Sequence, residues 1–295
     1  MRKVLIGVAV VVVSVVGLAA CSPLKTINVF TPSDTYRLTE DVAYGESPRQ
    51  RLDVYTPINA QGPSPVVVFF YGGSWTGGSR TDYKFVGEAL AARGIVTVVA
   101  DYRLSPEVVY PAFVQDSAQA VAWAVRNIAK EGGDPSHLFV MGHSAGGYNA
   151  AMVALDKRWL GEQGLTQSAV RGWIGLAGPY DFIPIENPDI KPAFLYPNTP
   201  PESQPINHVT ASSPPALLLA GSDDDIVEPR RNTLQLAELL RKQGVPVQAQ
   251  VFNGISHPMM IGVVWKPLRG RAPVLDRVVD FVHERQPGVQ ASTGK

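Results

Sequence analysis

The chain has 295 residues, of which 45% are hydrophobic and 18% charged, enough apolar material for a large core and too few charges for a disordered chain. Its 26 basic side chains balance 26 acidic ones, so there is no basic footprint and a nucleic-acid partner is excluded on electrostatic grounds. The one cysteine, Cys21, allows neither a disulfide framework nor a cysteine-built zinc site.

Arg2 and Lys3 precede an uncharged, valine-rich run over residues 4–20, the basic and apolar regions of a bacterial export signal. An uncleaved anchor helix is the alternative, since the run is at the short limit for crossing a hydrocarbon core about 30 Å thick. Leu18-Ala19-Ala20-Cys21 resembles the lipobox of bacterial lipoproteins. That resemblance implies a lipid on Cys21, a membrane as partner through the lipid anchor and, with Ser22 following, an outer-membrane destination. Residues 1–20 are then a signal peptide outside the fold and 21–40 a tether, polar and proline-flanked between Pro23 and Pro32. The folded domain is expected over 41–286 and a tail without structure over 287–295.

From residue 51 onward, short β-branched runs alternate with longer segments of helical period. This is the pattern of an α/β fold, a mainly parallel sheet with helices on both faces. Arg51 to Tyr55 alternate and read as an early antiparallel strand. Apolar runs predict strands over 66–70, 95–100, 138–141, 173–177, 216–220 and 247–252, most of them continuous, as strands buried on both faces must be. Val114, Ala118, Val121, Val125 and Ile128 recur at spacings of four and three. They predict a helix over 112–131 that stops at Gly132-Gly133. Further helices are expected over 83–93, 145–155, 228–243 and 274–285. The segment 178–215 is rich in proline and poor in period; a long irregular stretch inside a compact domain is usually a lid or binding loop, and it reads as a reduced cap.

The residues with chemistry to offer lie at the ends of these strands. The strand at 66–70 runs into Tyr71-Gly72-Gly73-Ser74-Trp75, where glycines let main-chain amides approach a substrate oxygen. By itself this is an ordinary turn; ahead of a nucleophile it is placed to form an oxyanion hole from the amides of Gly73, Ser74 and Ala145. The strand at 138–141 runs into Gly142-His143-Ser144-Ala145-Gly146, a Gly-x-Ser-x-Gly in the strand-turn-helix context of a nucleophile elbow. The alternative is a glycine-rich turn whose serine caps the helix. A serine hydroxyl needs an adjacent base, and in such sheets the partners follow in the order Ser, Asp or Glu, His. Of the histidines beyond Ser144, His208 precedes the strand at 216–220 and His283 sits in the last helical pattern, which leaves His257, just after a strand. The acid falls in the loop after residue 220, where Asp223, Asp224 and Asp225 are all available. A calcium loop is excluded there because the glycine and distal glutamate of that pattern are missing. Trp75, Tyr180 and Phe182 are aromatics expected near the mouth of the site.

The segments Leu52 to Tyr55, Tyr71 to Trp75, Ala100 to Glu107 and Gly132 to Gly147, with the later acid and histidine loops, make the chain resemble an α/β-hydrolase over about residues 51–284. Within that superfamily it is similar to the hormone-sensitive-lipase-like and arylformamidase-like carboxylesterases, of the BD-FAE type. The resemblance implies an eight-stranded sheet with an early antiparallel strand, chemistry without metal or cofactor, and an acyl-enzyme intermediate. Its Gly-x-x-Asp-x-x-Val spacing selects Asp224, leaving Asp223 and Asp225 as solvated neighbours or helix caps. The family's oxyanion loop usually opens with histidine, and here Tyr71 stands instead. Asp53, Asp101 and Asp116 fall in other family segments and are expected to tie loops together. The implied activity is hydrolysis of short-acyl or aromatic esters, small-molecule substrates, by Ser144, His257 and Asp224. The alternatives are an aryl formamide substrate for the same residues, or a surface lipoprotein that keeps the shell without catalysis.

Overall fold

The computed structural model of the protein describes residues 23–284. Cys21, the export segment and the expected tail lie outside the described residues. In chain order the elements are α1 (Pro23–Val29), β1 (Tyr36–Ala43), β2 (Arg51–Pro57), β3 (Ser64–Phe70), α2 (Lys84–Ala91), β4 (Val96–Ala100), α3 (Ala112–Asn127) and β5 (Gly133–His143). Then come α4 (Ala145–Leu155), α5 (Lys157–Glu162), β6 (Gly172–Leu176), β7 (Ala216–Asp223), α6 (Gln235–Lys242), β8 (Val247–Ser256), α7 (His257–Gly262) and α8 (Val274–Glu284).

The strands form one eight-stranded sheet in the order β1-β2-β4-β3-β5-β6-β7-β8. The β1–β2 and β2–β4 pairs are antiparallel and every later pair is parallel. Parallel neighbours need crossovers, and helices from both faces cover them, so β3, β4 and β6 are buried along their full length. This is the mainly parallel sheet that the alternation of runs predicts, with the eight strands and early antiparallel strand that the α/β-hydrolase resemblance implies. It brings the C-terminal ends of the parallel strands to one edge, where sites in such sheets are built.

Four differences from the sequence reading have physical causes. The sheet begins at Tyr36, within the segment expected as a tether. Strand β1 lies at an edge with most of its side chains toward solvent, so Tyr-Arg-Leu-Thr-Glu-Asp-Val-Ala carries little apolar signal. Ahead of it, Leu24 and Ile27 of α1 pack on the core. The helix expected over 112–131 tightens into a 3₁₀ turn at Ile128–Glu131 and ends on Gly132 at φ 82°, a left-handed stop that glycine takes without penalty. The helix expected over 228–243 opens with a widened turn over Arg230–Leu234 before α6. His257, expected in a loop, is the first residue of α7, with Pro258 where a missing N–H costs nothing. The segment 178–215 carries 3₁₀ turns at Pro192–Phe194, Pro201–Ser203 and Pro205–His208, with Ile185 and Phe194 buried beneath.

Candidate active site

Strand register brings the expected residues together. Phe70 of β3 pairs with Gly142 of β5, so the loop after β3 and the elbow after β5 emerge side by side. Asp223 of β7 pairs with Ser256 of β8, so the next residues, Asp224 and His257, are neighbours.

At the elbow Ser144 has φ 56° and ψ −123°, a conformation an L-residue holds only when its surroundings fix it. The flanking glycines give it room. A Cβ on Gly142 would stand 2.0 Å from the oxygen of Gly146, and one on Gly146 would stand 2.0 Å from the oxygen of Phe70. The Ser144 amide donates to Leu176 O at 2.9 Å, tying the turn to β6. The hydroxyl of Ser144 lies 2.8 Å from His257 Nε2, and His257 Nδ1 lies 2.8 Å from Asp224 Oδ2. A carboxylate only accepts, so Nδ1 carries the proton and Nε2 offers its lone pair to the serine O–H. Asp224 Oδ1 accepts from the amides of Ile226 and Val227 at 3.0 and 2.8 Å. Burial by itself would raise the pKa of Asp224. The hydrogen bonds from His257 and the Val227 amide, with the His257 charge and the Ile226 amide, outweigh it and hold the carboxyl below the usual range. The group is thus fixed as an anion beside an imidazole.

The neighbouring aspartates are used differently. Asp223 accepts from the Ser222 hydroxyl, and Asp225 lines the cleft from an exposed position. His208 bonds the main-chain oxygen of Glu202 and His283 that of Arg93; neither joins Ser144.

The loop after β3 lies against the elbow, because a Cβ on Gly72 would stand 2.9 Å from Cβ of Ser144. Gly73 at φ 138° and Ser74 and Trp75 at φ 53° and 58° make a run of left-handed positions that reverses the chain beside the nucleophile. Tyr71 anchors this loop. Its hydroxyl donates to Asp101 Oδ1 at 2.7 Å and accepts from Arg49 Nη2 at 2.7 Å, and its ring stacks between Tyr83 and Tyr102. Arg80 clamps the same region, donating to Asp101 Oδ2 and Asp53 Oδ1 at 2.6 and 2.8 Å. Asp116 holds the Arg103 guanidinium and the Gln50 amide. The three aspartates therefore tie loops together, as expected.

In front of Ser144 is a cleft of about 440 Å³ lined by Trp75, Phe182, Ile185 and Ile226, with carboxylates of Asp181, Asp225 and Glu228. Trp75 is fixed by an Nε1–H bond to Asn149 Oδ1 at 3.1 Å and by rings of Tyr148, Phe182 and Phe194. Tyr180 does not reach the mouth: it is fully buried, edge-on to Trp173, because Asn232 holds its amide inward. His143 is the residue that sequence reasoning missed. It occupies the variable position of the elbow motif, and its Nε2 lies 3.0 Å from the main-chain oxygen of His257. Among the described residues no cluster of side chains is arranged to hold a metal ion, and no helix is long and apolar enough to cross a membrane.

Comparison with known proteins finds esterases. The chain is 28% identical over 252 residues to a probable isoprenylcysteine α-carbonyl methylesterase of Arabidopsis thaliana, covering 78% of this chain and 52% of that one. It is 33% identical over 221 residues to esterase LipC of Mycobacterium tuberculosis, covering 68% and 54%. The chain thus spans little more than half the length of these curated relatives. Among solved structures, a hyperthermophilic esterase from Pyrobaculum calidifontis matches with a TM-score of 0.70 at 25% identity, covering 89% of this chain and 88% of that one. A carbohydrate esterase from gut microbiota matches with a TM-score of 0.70 at 21% identity, covering 86% and 98%. The family model for BD-FAE matches residues 52–240, well over half the chain and from β2 through the nucleophile elbow to α6. The chain belongs to the BD-FAE family of α/β-hydrolases.

Proposed function

We propose that the protein is a serine carboxylesterase that hydrolyses short-acyl or aromatic esters through an acyl-enzyme intermediate. The observation that carries this reading is the unbroken hydrogen-bonded chain from Ser144 through His257 to Asp224. Ser144 Oγ attacks the ester carbonyl while its proton passes to His257 Nε2, and Asp224 stabilises the imidazolium that forms. Amides of Gly73, Ser74 and Ala145 receive the oxyanion, each worth about a hundredfold to a thousandfold in rate. His257 returns the proton to the departing alcohol, then activates a water that releases the acid. The similarity to esterase LipC supports the bond type, and a cleft of about 440 Å³ with Trp75, Phe182, Ile185 and Ile226 in its walls supports a small ester over a long chain.

The test is Ser144→Ala against a small chromogenic ester. Turnover should fall below about one percent of wild type, and retention above that level overturns Ser144 as nucleophile. An aryl formamide measured beside the ester decides between ester and amide substrates. From the basic and apolar N-terminal run and Leu18-Ala19-Ala20-Cys21 we further propose that the protein sits in a bacterial cell envelope, tethered by lipid on Cys21. Metabolic labelling with a fatty acid should mark the wild type and not Cys21→Ala; equal labelling of both overturns the tether.

A further inference from the structure

His143 closes the C-terminal end of β5 and is buried. Its Nε2, 3.0 Å from the main-chain oxygen of His257, faces a carbonyl that only accepts, so Nε2 carries the proton. The two imidazole rings lie 5.0 Å apart at 41°. Nδ1 looks toward the loop after β3, where a Cβ on Gly72 would stand 3.1 Å from it. His143 thus lies between the Gly72 loop, the nucleophile that follows it in sequence, and the segment that carries His257.

Strand pairing reaches that segment at Ser256, opposite Asp223, and the Gly254 amide bonds the Ser222 hydroxyl. Asn253 and Gly254 before Ser256 are exposed, and Gly254 has φ 71°. Asp224 fixes the orientation of the His257 ring through Nδ1 but makes no bond to its main chain. Asp224 thus orients the ring, while the bond from His143, with the pairing of Ser256 and the start of α7, holds the main chain. We propose that His143 is a positioning residue, whose Nε2–H bond to His257 O holds the His257 imidazole at bonding distance from Ser144. The inference rests on the hydrolytic reading above. Burial, with the nearby His257 charge adding to it, pushes the His143 imidazole down to about 3, so it stays neutral and adds no cation beside the imidazolium formed in turnover. A displacement of about 1 Å at such a site costs on the order of a hundredfold in rate.

The experiment compares His143→Phe, which keeps a planar ring and loses the donor, with His143→Gln, which can donate from its amide. In each, kcat and KM for a small ester, the rate of fluorophosphonate labelling and the melting temperature are measured beside Ser144→Ala. His143→Phe should lower kcat and the labelling rate together by about tenfold to a hundredfold with KM within about twofold, and His143→Gln should recover most of the loss. Wild-type kcat in His143→Phe overturns the proposal, as does a His143→Gln that is folded and no better than His143→Phe. Activity surviving in Ser144→Ala overturns Ser144 as the nucleophile instead, and a wild type without activity on the ester overturns the hydrolytic reading, whatever the His143 variants do. Should His143→Phe fail to fold, the imidazole ¹⁵N spectrum of the wild type at neutral pH decides. A protonated Nε2 on His143 supports the bond and a protonated Nδ1 overturns it.

Discussion

Tyr71 donates its hydroxyl proton to Asp101 across 2.7 Å, and this bond joins the start of the glycine loop after β3 to the loop that follows β4. Burial first, then the neighbouring Tyr102 and Asp101, raise the phenol pKa far above its ordinary value, so it stays a donor across the working pH range. Tyr71 thereby anchors the loop after β3 at the position where the family usually has histidine. Removing only the hydroxyl leaves Asp101 its bonds from Arg80, and leaves Arg49 its bond to Gly78 O. Tyr71→Phe should therefore cost about 1–2 kcal/mol of stability, the loss of two bonds, one donated to Asp101 and one accepted from Arg49, with no stranded partner. In a chain of this size that lowers the melting temperature by about 2–8 °C. Calorimetry on the two proteins checks it, and an unchanged melting temperature contradicts the anchoring role.

Three successive aspartates can be told apart by one substitution each. Asp224→Asn leaves a side chain of the same size but offers His257 a group that can also donate, which favours the wrong imidazole tautomer. A fall in kcat on the order of a thousandfold to ten-thousandfold is expected, with KM little changed. Asp223→Asn and Asp225→Asn should stay within about threefold of wild type, because neither carboxylate touches His257. Steady-state rates on one ester suffice, and a large loss at Asp223 or Asp225 would reassign the acid.

The elbow, the glycine loop and His257 were legible in the sequence because each obeys a local rule: a steric need for glycine, or chemistry available to only one histidine. Asp224 was legible only through the family's spacing, since periodicity does not separate three adjacent acids. What separates them physically is register, the pairing of Asp223 with Ser256 that puts residue 224 beside residue 257. Strand β1 was hidden for the opposite reason: an edge strand facing water needs no apolar pattern. Tyr180 was misplaced because an aromatic near a motif looks the same whether it faces a cleft or the core. His143 was passed over because the elbow motif asks nothing of that position, and its bond to His257 spans 114 residues of chain.

A glycine of the elbow and one of the loop after β3 should respond differently to alanine. A Cβ on Gly146 would stand 2.0 Å from Phe70 O and 2.5 Å from Tyr71 O, both main-chain atoms that cannot swing away. Gly146→Ala should destabilise by about 3 kcal/mol or more and spread the loop after β3 from the elbow, removing most activity. A Cβ on Gly77 meets nothing within 4 Å, so Gly77→Ala should be neutral or stabilising by a few tenths of a kcal/mol. Paired melts and ester rates check both, and a well-folded, active Gly146→Ala would refute the close packing on which the elbow depends.

Acid should weaken the fold through His143 before it reaches Asp224. An unfolded His143 takes up a proton near 6.5, while the buried ring takes one only near 3. Between those values the unfolded chain holds more protons, so stability rises with pH and is lost as pH falls. Asp224, held low by His257 and by the Val227 and Ile226 amides against its burial, contributes stability above its unfolded pKa of about 4 that is lost only in more acidic solution. From pH 6.5 to 4.5 the term from His143 therefore leads, at about 1.4 kcal/mol per pH unit, or roughly 2–3 kcal/mol over the interval. His257 and Asp224 are the titratable groups that act on the His143 ring, and both remain in His143→Gln. That variant lacks the protonation site, so its unfolding free energy should fall less steeply with acid than that of the wild type across this window. Denaturant titrations at pH 6.5, 5.5 and 4.5 give the two slopes. Parallel slopes would mean that the ring at position 143 takes its proton in the folded protein as easily as in the unfolded chain, and that its burial does not keep it neutral.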